Sequence, residues 1–406
     1  MRILHTSDWH LGHRLCEHDR QQEHDRFLNW LTGQLRELAV DVLIVAGDIF
    51  DIPYPPNFAL AQYYNFLRRI PETPCRHMVV IGGNHDAVST LNAPRELLKF
   101  FRIDVIGGAE EELASEIVPV VGESGQLQGL IAAVPFLRDR DIKKAVAGET
   151  YEAKEKAIVS GIVNHYFGVK EKALEFLERA GSLKVPLIAA GHLYAAGCLK
   201  TDSERDIYIG NLGKVAAEAF PPEFDYVALG HLHRAQVVNS DERIQYSGSP
   251  LPLSFSEAGT IKTVNLVEFN PHLCVTPVEV PLTRRLVRIK GHIAKIQEML
   301  QALSKEAEME ELKPWVEVVV EAQHYDPLLH GVVMDMARGL PVEVLMVKTD
   351  RQYIYHALNE QVDSHVHLEE LTPEEVFAKK CESLEASDKE LVTQVFTELR
   401  SMMEIA

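Results

Sequence analysis

Five short apolar segments recur between residues 3 and 229, and each one ends in the same way. The chain reaches a small or turn-forming residue and then an Asp, Asn or His. The segments are 3–7 before Asp8 and His10, 43–46 before Asp48, 78–81 before Asn84, 187–190 before His192, and 226–229 before His231 and His233. Short apolar runs bounded by turn residues are typical of buried strands. The pattern therefore predicts five strands whose carboxyl ends carry polar side chains.

Two stretches in which apolar residues follow helical spacing separate the first three of these strands. Apolar residues recur at helical intervals in residues 21–38 and again between Pro56 and Ile70. Strands that alternate with helices need crossover connections, which indicate a largely parallel sheet. Ligands of such sheets gather at the carboxyl ends of the strands. We therefore expect all five endings to lie close together.

The segments that follow predict a second sheet. Strand-like runs occupy residues 116–121 and 130–135, and the pattern over 149–180 predicts one long helix or two. Alternating segments at 235–238, 244–246 and 263–269 suggest a second sheet packed on the first. Two facing sheets with helices outside them form an α/β sandwich.

A domain boundary is expected within residues 271–281. Beyond it, residues 286–290, 293–303, 315–321, 327–337 and 342–347 alternate between strand and helix. We therefore expect a sandwich domain over 1–275, a small α/β domain over 282–350 and a helical segment over 371–406. The small domain shows no metal-ligand spacing, so a packing role and an active role stay equally open.

The polar endings suggest a metal centre. Oxygen and imidazole ligands without cysteine suit Mn, Fe or Zn. Asp48 is the central candidate, because a carboxylate can offer one oxygen to each of two cations that clamp a phosphoryl group. The motif GDxxD, Gly47 to Asp51, is by itself equally compatible with an ordinary loop with Asp turn chemistry. Five repeats of the same ending make coincidence improbable.

Composition narrows the class of protein. Hydrophobic residues make up 46% of the 406 residues, which is typical of a globular protein. The five cysteines are odd in number and lack CxxC spacing, which argues against a disulfide framework and favours a reducing, cytoplasmic setting. We expect no signal peptide and no membrane span. The net charge of −19 counts against a free-standing DNA-binding module, so a DNA substrate requires a local basic patch or a basic partner.

The order DxH, GDxxD, GNHD, GH and GHxH resembles that of the calcineurin-like metallophosphoesterases. The phrases HTSDWHLG, VAGDIFD, RDIYIG, ALGHLHRAQ and YSGSPLPLSF are closer still to the SbcD family of bacterial nuclease subunits. The resemblance implies two divalent ions, with Mn²⁺ expected. Asp8, His10 and His233 would bind one ion, Asn84, His192 and His231 the other, and Asp48 would bridge them.

The same resemblance assigns roles to residues near the ligands. His85 resembles the family's catalytic histidine, which stabilises the transition state or protonates the leaving oxygen. Asp51 would orient it, or else only cap a turn. We expect Trp9, His13 and Asp86 to support the ligands. His5, His24 and His165 are interpreted as ordinary histidines.

The family also implies partners. Its members form homodimers through helices of the phosphoesterase domain, for which Tyr63, Tyr64 and Phe66 are weak candidates here, and these dimers sit in a heterotetramer with an SbcC-type coiled-coil ATPase. The capping box at Thr372 to Glu375 and the apolar stripe from Leu391 to Met403 predict two helices in the C-terminal segment. These helices either fold back on their own domain or bind the coiled coil.

Two functions stay open at this stage. One is a metal-dependent DNA nuclease for repair and recombination, which cuts single strands as an endonuclease and, with the ATPase, digests duplex ends and hairpins. The other is a phosphoesterase acting on small-molecule or protein phosphates. All seven predicted ligands are present, which excludes a scaffold with a degraded site.

Overall fold

The computed structural model describes residues 1–142, 150–181, 184–199, 201–204, 215–269, 272–322 and 328–350, with six further residues of the C-terminal segment. Those six are Phe377, Cys381, Val392, Thr393, Val395 and Phe396. The phrase RDIYIG, residues 205–210, and most of the predicted C-terminal helices lie outside the described residues.

The described chain is a mixed α/β fold. Its strands are β1 (Arg2–Thr6), β2 (Arg14–Leu15), β3 (His18–Asp19), β4 (Val42–Ala46), β5 (His77–Ile81), β6 (Ile103–Ile106), β7 (Ile117–Val121), β8 (Leu127–Ala133), β9 (Leu187–His192), β10 (Tyr226–Gly230), β11 (Gln236–Val238), β12 (Asp241–Tyr246), β13 (Thr263–Phe269), β14 (Leu273–Glu279), β15 (Leu286–Gly291), β16 (Trp315–Val320) and β17 (Glu343–Thr349). Its α-helices are α1 (Gln21–Glu37), α2 (Asn57–Arg69), α3 (Val88–Asn92), α4 (Arg95–Lys99), α5 (Asp139–Ile142), α6 (Tyr151–Arg179), α7 (Ile293–Ala307) and α8 (Leu329–Ala337). Short 3₁₀ helices occupy Ile70–Glu72, Leu113–Glu116, Ala217–Ala219 and Phe255–Glu257.

The first large sheet has the strand order β14-β13-β1-β4-β5-β6. Strands β1, β4, β5 and β6 run parallel, as the crossovers through α1 and α2 require. Strand β13 pairs antiparallel with β1, so that Ile3 lies opposite Val267. The prediction that residues 263–269 join the second sheet is therefore wrong, because this segment returns to the first strand of the chain.

The second large sheet has the order β11-β12-β10-β9-β8-β7. Its central strands β8, β9, β10 and β12 are parallel. The strands that precede His192 and His231 therefore belong to this sheet, whereas those that precede Asp8, Asp48 and Asn84 belong to the first. The polar endings meet across two sheets and not along the edge of one.

Three apolar layers hold the two sheets and their helices together. Residues such as Ile44, Ile81, Ile131 and Ile188 fill the space between the sheets. Helices α1 and α2 cover the outer face of the first sheet, and α6, a single helix of 29 residues, covers the outer face of the second. The predicted α/β sandwich is confirmed. Among the described helices, none is both long and apolar enough to cross a membrane.

Helix α2 turns its aromatic residues mostly inward. Tyr63 and Phe66 are buried in the core that α2 shares with α1, while Tyr64 is 40% exposed. Tyr63 and Phe66 therefore cannot supply a dimer surface, because their side chains are already buried in this core. The suggestion that these aromatics form an interface is wrong for both of them.

The alternation of strand and helix predicted beyond residue 282 is observed in β15, α7, β16, α8 and β17, and the three strands form a small sheet of their own. By compactness the chain divides into two units. One comprises Met1–Ile289, Leu300–Glu317 and Ala337–Met346, and the other comprises Lys290–Met299, Val318–Met336 and the described residues from Val347 onward. The predicted boundaries at 1–275, 282–350 and 371–406 stay predictions.

Candidate metal centre

The loops after five strands bring the predicted ligands together. Three groups have ligand atoms that all lie within 4.8 Å of one another, and one of them, His10, Asp51 and His85, shares His10 with the first of the two groups that contain only predicted ligands. The first of these two groups is Asp8, His10 and His233, and the second is Asp48, His192 and His231. All six side chains are buried. Burying carboxylates and imidazoles costs free energy unless they are paired or hydrogen-bonded. Such clusters are therefore stabilised by a bound metal ion or by hydrogen bonds among their members.

Glycines next to these ligands allow the loops to approach each other closely. A Cβ at Gly47 would lie 2.2 Å from Nδ1 of His192, and one at Gly83 would lie 2.1 Å from Oδ1 of Asp48. A Cβ at Gly230 would come within 1.9 Å of the Ala46 carbonyl oxygen, which belongs to the opposite sheet. The glycines before Asp48, Asn84 and His231 are thus required by the close approach of the loops that carry the predicted ligands.

The backbone at several ligands adopts the left-handed region. The φ angles are 53° at Asp8, 46° at His10, 50° at Asp48 and 102° at His231. This conformation is unfavourable for residues other than glycine, and such strain clusters at functional sites. Backbone bonds between loops fix it, because His10 N donates to the Asp48 carbonyl at 3.0 Å and Asp8 N donates to the Gly47 carbonyl at 3.0 Å.

The imidazole ring of His10 lacks hydrogen-bond partners within the described part of the chain. Both ring nitrogens are buried and unsatisfied, although Nδ1 lies 3.3 Å from Oδ1 of Asp51 and Nε2 lies 3.7 Å from Oδ2 of Asp48. Burial lowers the pKa of His10 despite these two carboxylates. A neutral imidazole with a free lone pair is the form that binds a divalent metal.

Asp48 lies between the two groups of ligands. Its Oδ2 is 3.3 Å from Nε2 of His192 and 3.7 Å from Nε2 of His10, while Oδ1 accepts a hydrogen bond from the backbone of His85 at 2.9 Å. Burial opposes ionisation of this carboxyl, but His192 and His10 hold its pKa well below the usual range. Asp48 is therefore a carboxylate with one oxygen facing both groups.

Asn84 and His192 meet at the second group. Oδ1 of Asn84 lies 2.9 Å from Nε2 of His192, and Nδ1 of His192 donates to the Ala46 carbonyl at 2.9 Å. Burial disfavours the charged form of His192, yet Asp48 raises its pKa to about 9. His231 responds in the opposite direction, because burial and the neighbouring His192 lower its pKa.

His85 and Asp51 contact each other through the backbone. Nδ1 of His85 donates to the carbonyl oxygen of Asp51 at 2.6 Å, which leaves Nε2 for another partner. The Asp51 carboxylate instead lies 3.0 Å from Nδ1 of His13, whose Nε2 donates to the Leu253 carbonyl. Asp51 thus contacts His85 through its backbone carbonyl, whereas its carboxylate contacts His13. Burial opposes ionisation of Asp51, but His10 and His13 lower its pKa.

Asp86 ties two of the loops together. Its carboxylate accepts hydrogen bonds from the backbone of Ile49 at 3.1 Å, Phe50 at 3.0 Å and Gly83 at 2.9 Å. Burial and the nearby Asp48 charge raise its pKa to about 6. Trp9 also supports its own loop, because its indole N–H donates to the Thr6 hydroxyl at 3.1 Å.

Sequence reasoning missed the residues around His233. Ser203, Glu204, Glu257 and Lys262 contact its side chain or backbone or one another. They lie on loops and on a 3₁₀ helix, where polar residues give no periodic signal. The motif YSGSPLPLSF ends at Phe255, just before Glu257, but nothing in this motif indicates that a carboxylate lies next to a predicted ligand.

Each of the three histidines interpreted as ordinary has a local polar partner. His5 contacts the Tyr226 hydroxyl at 2.9 Å, His24 donates to the Trp9 carbonyl at 3.0 Å and His165 lies 2.8 Å from Glu116. Burial lowers the pKa of both His5 and His24 to about 3. His5 and His24 therefore stay neutral in the core near pH 7.

The residues of this centre fit divalent metal ions. Asp48 belongs to one group of oxygen and nitrogen donors and lies 3.7 Å from His10 of the other, and His10 offers unsatisfied ring nitrogens. Carboxylate, amide and imidazole donors suit ions of intermediate hardness, such as Mn²⁺, Fe²⁺ or Zn²⁺.

Comparisons with known proteins agree with this chemistry. Residues 1–235 match the family model for calcineurin-like phosphoesterases, and residues 282–384 match one described as the type 5 capsule protein repressor C-terminal domain. The SbcD subunit of the nuclease SbcCD from Escherichia coli (strain K12) is 37% identical over 98% of this chain and 97% of its own. The SbcD subunit from Bacillus subtilis (strain 168) is 36% identical over 67% of each chain.

Among solved structures, a dimetal phosphatase from Danio rerio aligns with 70% of this chain and 97% of its own. Its sequence identity is 10% and its TM-score is 0.40, which is too low to support an argument.

Proposed function

Because the chain belongs to the SbcD family of calcineurin-like phosphoesterases, we propose that it is the metal-dependent nuclease subunit of an SbcCD-type complex. The observation that carries this proposal is the match to an SbcD nuclease subunit along 98% of the chain, combined with a buried double cluster of metal-binding side chains. The reaction is hydrolysis of a phosphodiester bond in DNA.

Two divalent ions, for which we propose Mn²⁺, would be held by seven side chains. Asp8, His10 and His233 would bind one ion, Asn84, His192 and His231 the other, and Asp48 both. When bound, such a pair supplies Lewis-acid activation of a water and neutralises charge on the phosphate. Neutral Asn and His ligands limit the negative charge of the site, so the ions keep enough positive charge to attract a phosphodiester.

His85 would act on the substrate and not on the ions. The Asp51 carbonyl accepts the Nδ1 proton of His85 at 2.6 Å, which fixes the ring and leaves Nε2 to face the reacting group. From there Nε2 can donate a proton to the leaving oxygen or a hydrogen bond to the phosphate. Asp51 would contribute through this carbonyl, and its carboxylate would hold His13 in place.

The alternative function is a phosphoesterase for small-molecule or protein phosphates. The same donor set would serve both reactions, so the cluster alone does not choose between them. The relatives favour the nuclease, because both are named as parts of a nuclease.

The C-terminal segment is the proposed contact with an SbcC-type coiled-coil ATPase. Its described residues support an internal pairing, because the rings of Phe377 and Phe396 stack with centroids 4.0 Å apart and 11° between their planes. Val392 and Val395 are 37% and 48% exposed on the same segment. The exposed apolar side chains of this segment could pack against a helix of a partner protein. We also propose that two copies of this chain form a homodimer, which assembles with the ATPase into a heterotetramer.

Cleavage assays with purified protein test the function directly. Metal-free protein is supplied with Mn²⁺ and given single-stranded DNA in one reaction and p-nitrophenyl phosphate, a phosphomonoester, in the other. We expect Mn²⁺-dependent cutting of the DNA at a far higher kcat/KM than release of p-nitrophenol. Efficient hydrolysis of the monoester without DNA cleavage would favour the alternative.

A further inference from the structure

His233 is held at three of its atoms by side chains outside the predicted ligand set. Its backbone N–H donates to Oε1 of Glu204 at 2.7 Å, and its carbonyl oxygen accepts from Nζ of Lys262 at 2.9 Å. Its ring nitrogen Nδ1 lies 2.7 Å from the hydroxyl oxygen of Ser203. The backbone and the ring are therefore fixed separately.

Glu257 joins two of these contacts. Its Oε1 accepts from the Ser203 hydroxyl at 2.6 Å, and its Oε2 accepts from the Lys262 ammonium. Glu257 and Lys262 are 2% and 6% exposed. A buried carboxylate paired with an ammonium is ionised and only accepts hydrogen bonds. We call Ser203, Glu204, Glu257 and Lys262 the His233 clamp.

Counting protons then fixes the tautomer of His233. Ser203 has one hydroxyl proton, and the carboxylate of Glu257 is the strongest acceptor within its reach. With that proton committed, the Ser203 oxygen can only accept from His233, so Nδ1 of His233 carries a hydrogen. The lone pair of the neutral ring therefore lies on Nε2, the nitrogen left to bind a metal ion.

We propose that Ser203 is a positioning residue which, backed by Glu257, presents Nε2 of His233 to the ion shared with Asp8 and His10. This inference rests on the proposed two-ion site. A histidine ligand whose second nitrogen donates to an oxygen is oriented and made more basic, and loss of such an outer partner weakens metal binding by about 10- to 100-fold. The short segment 201–204 thus controls the strength of one of the two ion sites.

Ser203 is suited to mutation because it is only half-buried, so its replacement leaves the core intact. Ser203→Ala removes the link between Glu257 and the ring, whereas Ser203→Thr keeps a hydroxyl in its place. Ser124→Ala is the matched control, because it makes the same chemical change at an exposed hydroxyl that bonds only to Gln126 among the described residues. Thermal unfolding of each full-length variant checks that the fold is retained.

Equilibrium binding of Mn²⁺ to the metal-free protein, measured by calorimetry and by the spin-coupled EPR signal of a manganese pair, tests the proposal. Wild type, Ser203→Thr and Ser124→Ala should bind two ions with similar affinities. Ser203→Ala should bind one ion normally and the other about 10- to 100-fold more weakly, with loss of the coupled signal at two equivalents. Two ions bound by Ser203→Ala with wild-type affinities would overturn the positioning role.

A second background identifies which ion is affected. In a His10→Ala protein, which lacks a ligand of the same ion, Ser203→Ala should leave the affinity for the other ion unchanged, because both changes act on one site. Weaker binding of the other ion in that background would overturn the assignment. If wild type binds two Mn²⁺ ions but cuts no DNA, the proposed nuclease function fails while the His233 clamp stands. If wild type binds no ion pair, both fail.

Discussion

The amide oxygen of Asn84 lies 2.9 Å from Nε2 of His192, although 108 positions of sequence separate the two residues. Nδ1 of His192 already donates to the Ala46 carbonyl, so contact with an amide oxygen and with Asp48 requires a second proton on Nε2. The pKa of about 9 agrees with a doubly protonated ring near neutral pH. In the metal-free protein this proton occupies the position of a ligand bond, and an ion must displace it.

Metal binding is therefore expected to release protons. Below its pKa of about 9, His192 is charged in the metal-free protein, and it must become neutral to bind an ion. The apparent affinity for Mn²⁺ should rise as pH increases from 7 to 9, by up to about tenfold per pH unit for one linked proton. Calorimetry in buffers of different ionisation enthalpy measures the protons released. If the affinity for Mn²⁺ does not change between pH 7 and pH 9, the proposed link to a proton on His192 is contradicted.

His85→Ala should separate chemistry from metal binding. The ring is fixed by the Asp51 carbonyl and is proposed to face the reacting group, so its removal should leave two bound Mn²⁺ ions and lower kcat by roughly 10²-fold or more. KM for single-stranded DNA should change little. Metal analysis of the purified variant decides the role, since loss of an ion would make His85 a ligand.

Glu23→Gln should destabilise the protein strongly. The Glu23 carboxylate is buried between Arg20, at 3.4 Å, and Arg284, at 2.9 Å. Loss of its charge leaves two cations facing each other with little solvent, which costs about 3–5 kcal/mol of unfolding free energy. Urea denaturation measures the change. The matched control is Glu175→Gln, because Glu175 and Lys172 form an exposed pair on α6 worth less than about 1 kcal/mol.

Truncation after Glu370 should uncouple the ATPase from the nuclease. The truncated protein should keep Mn²⁺-dependent endonuclease activity on single strands, because every proposed ligand precedes this point. It should lose co-purification with an SbcC-type ATPase and ATP-stimulated cleavage of duplex DNA. Capture of the ATPase at wild-type affinity would show that the C-terminal helices serve only to pack on their own chain.

The gathering of the predicted ligands was predictable because their signal is local. Each follows an apolar strand, and the glycine before Asp48 is needed where Gly47 faces His192. Strand β13 was assigned to the wrong sheet because its partner, β1, lies more than 250 positions away and pairing leaves no mark in either segment.

The His233 clamp escaped prediction for a related reason. Ser203 and Glu257 meet only because a loop and a 3₁₀ helix fold against the same histidine. The sequence left the role of Asp51 open, and the contact of its carbonyl oxygen with His85 could not be predicted from the residue type. Contacts made by the backbone cannot be read from residue types.

Substitution of Asp48 is the most direct test of the two-ion nuclease site. The number of Mn²⁺ ions bound and the rate of single-strand DNA cleavage are measured on the same protein sample. Asp48→Asn is the preferred variant, because asparagine tolerates the φ of 50° better than alanine does. The wild type should bind two ions and cut DNA. Asp48→Asn should remain folded, bind fewer than two ions and lose activity by at least about 10²- to 10³-fold. Two bound ions with undiminished cleavage in this variant would contradict the bridging role.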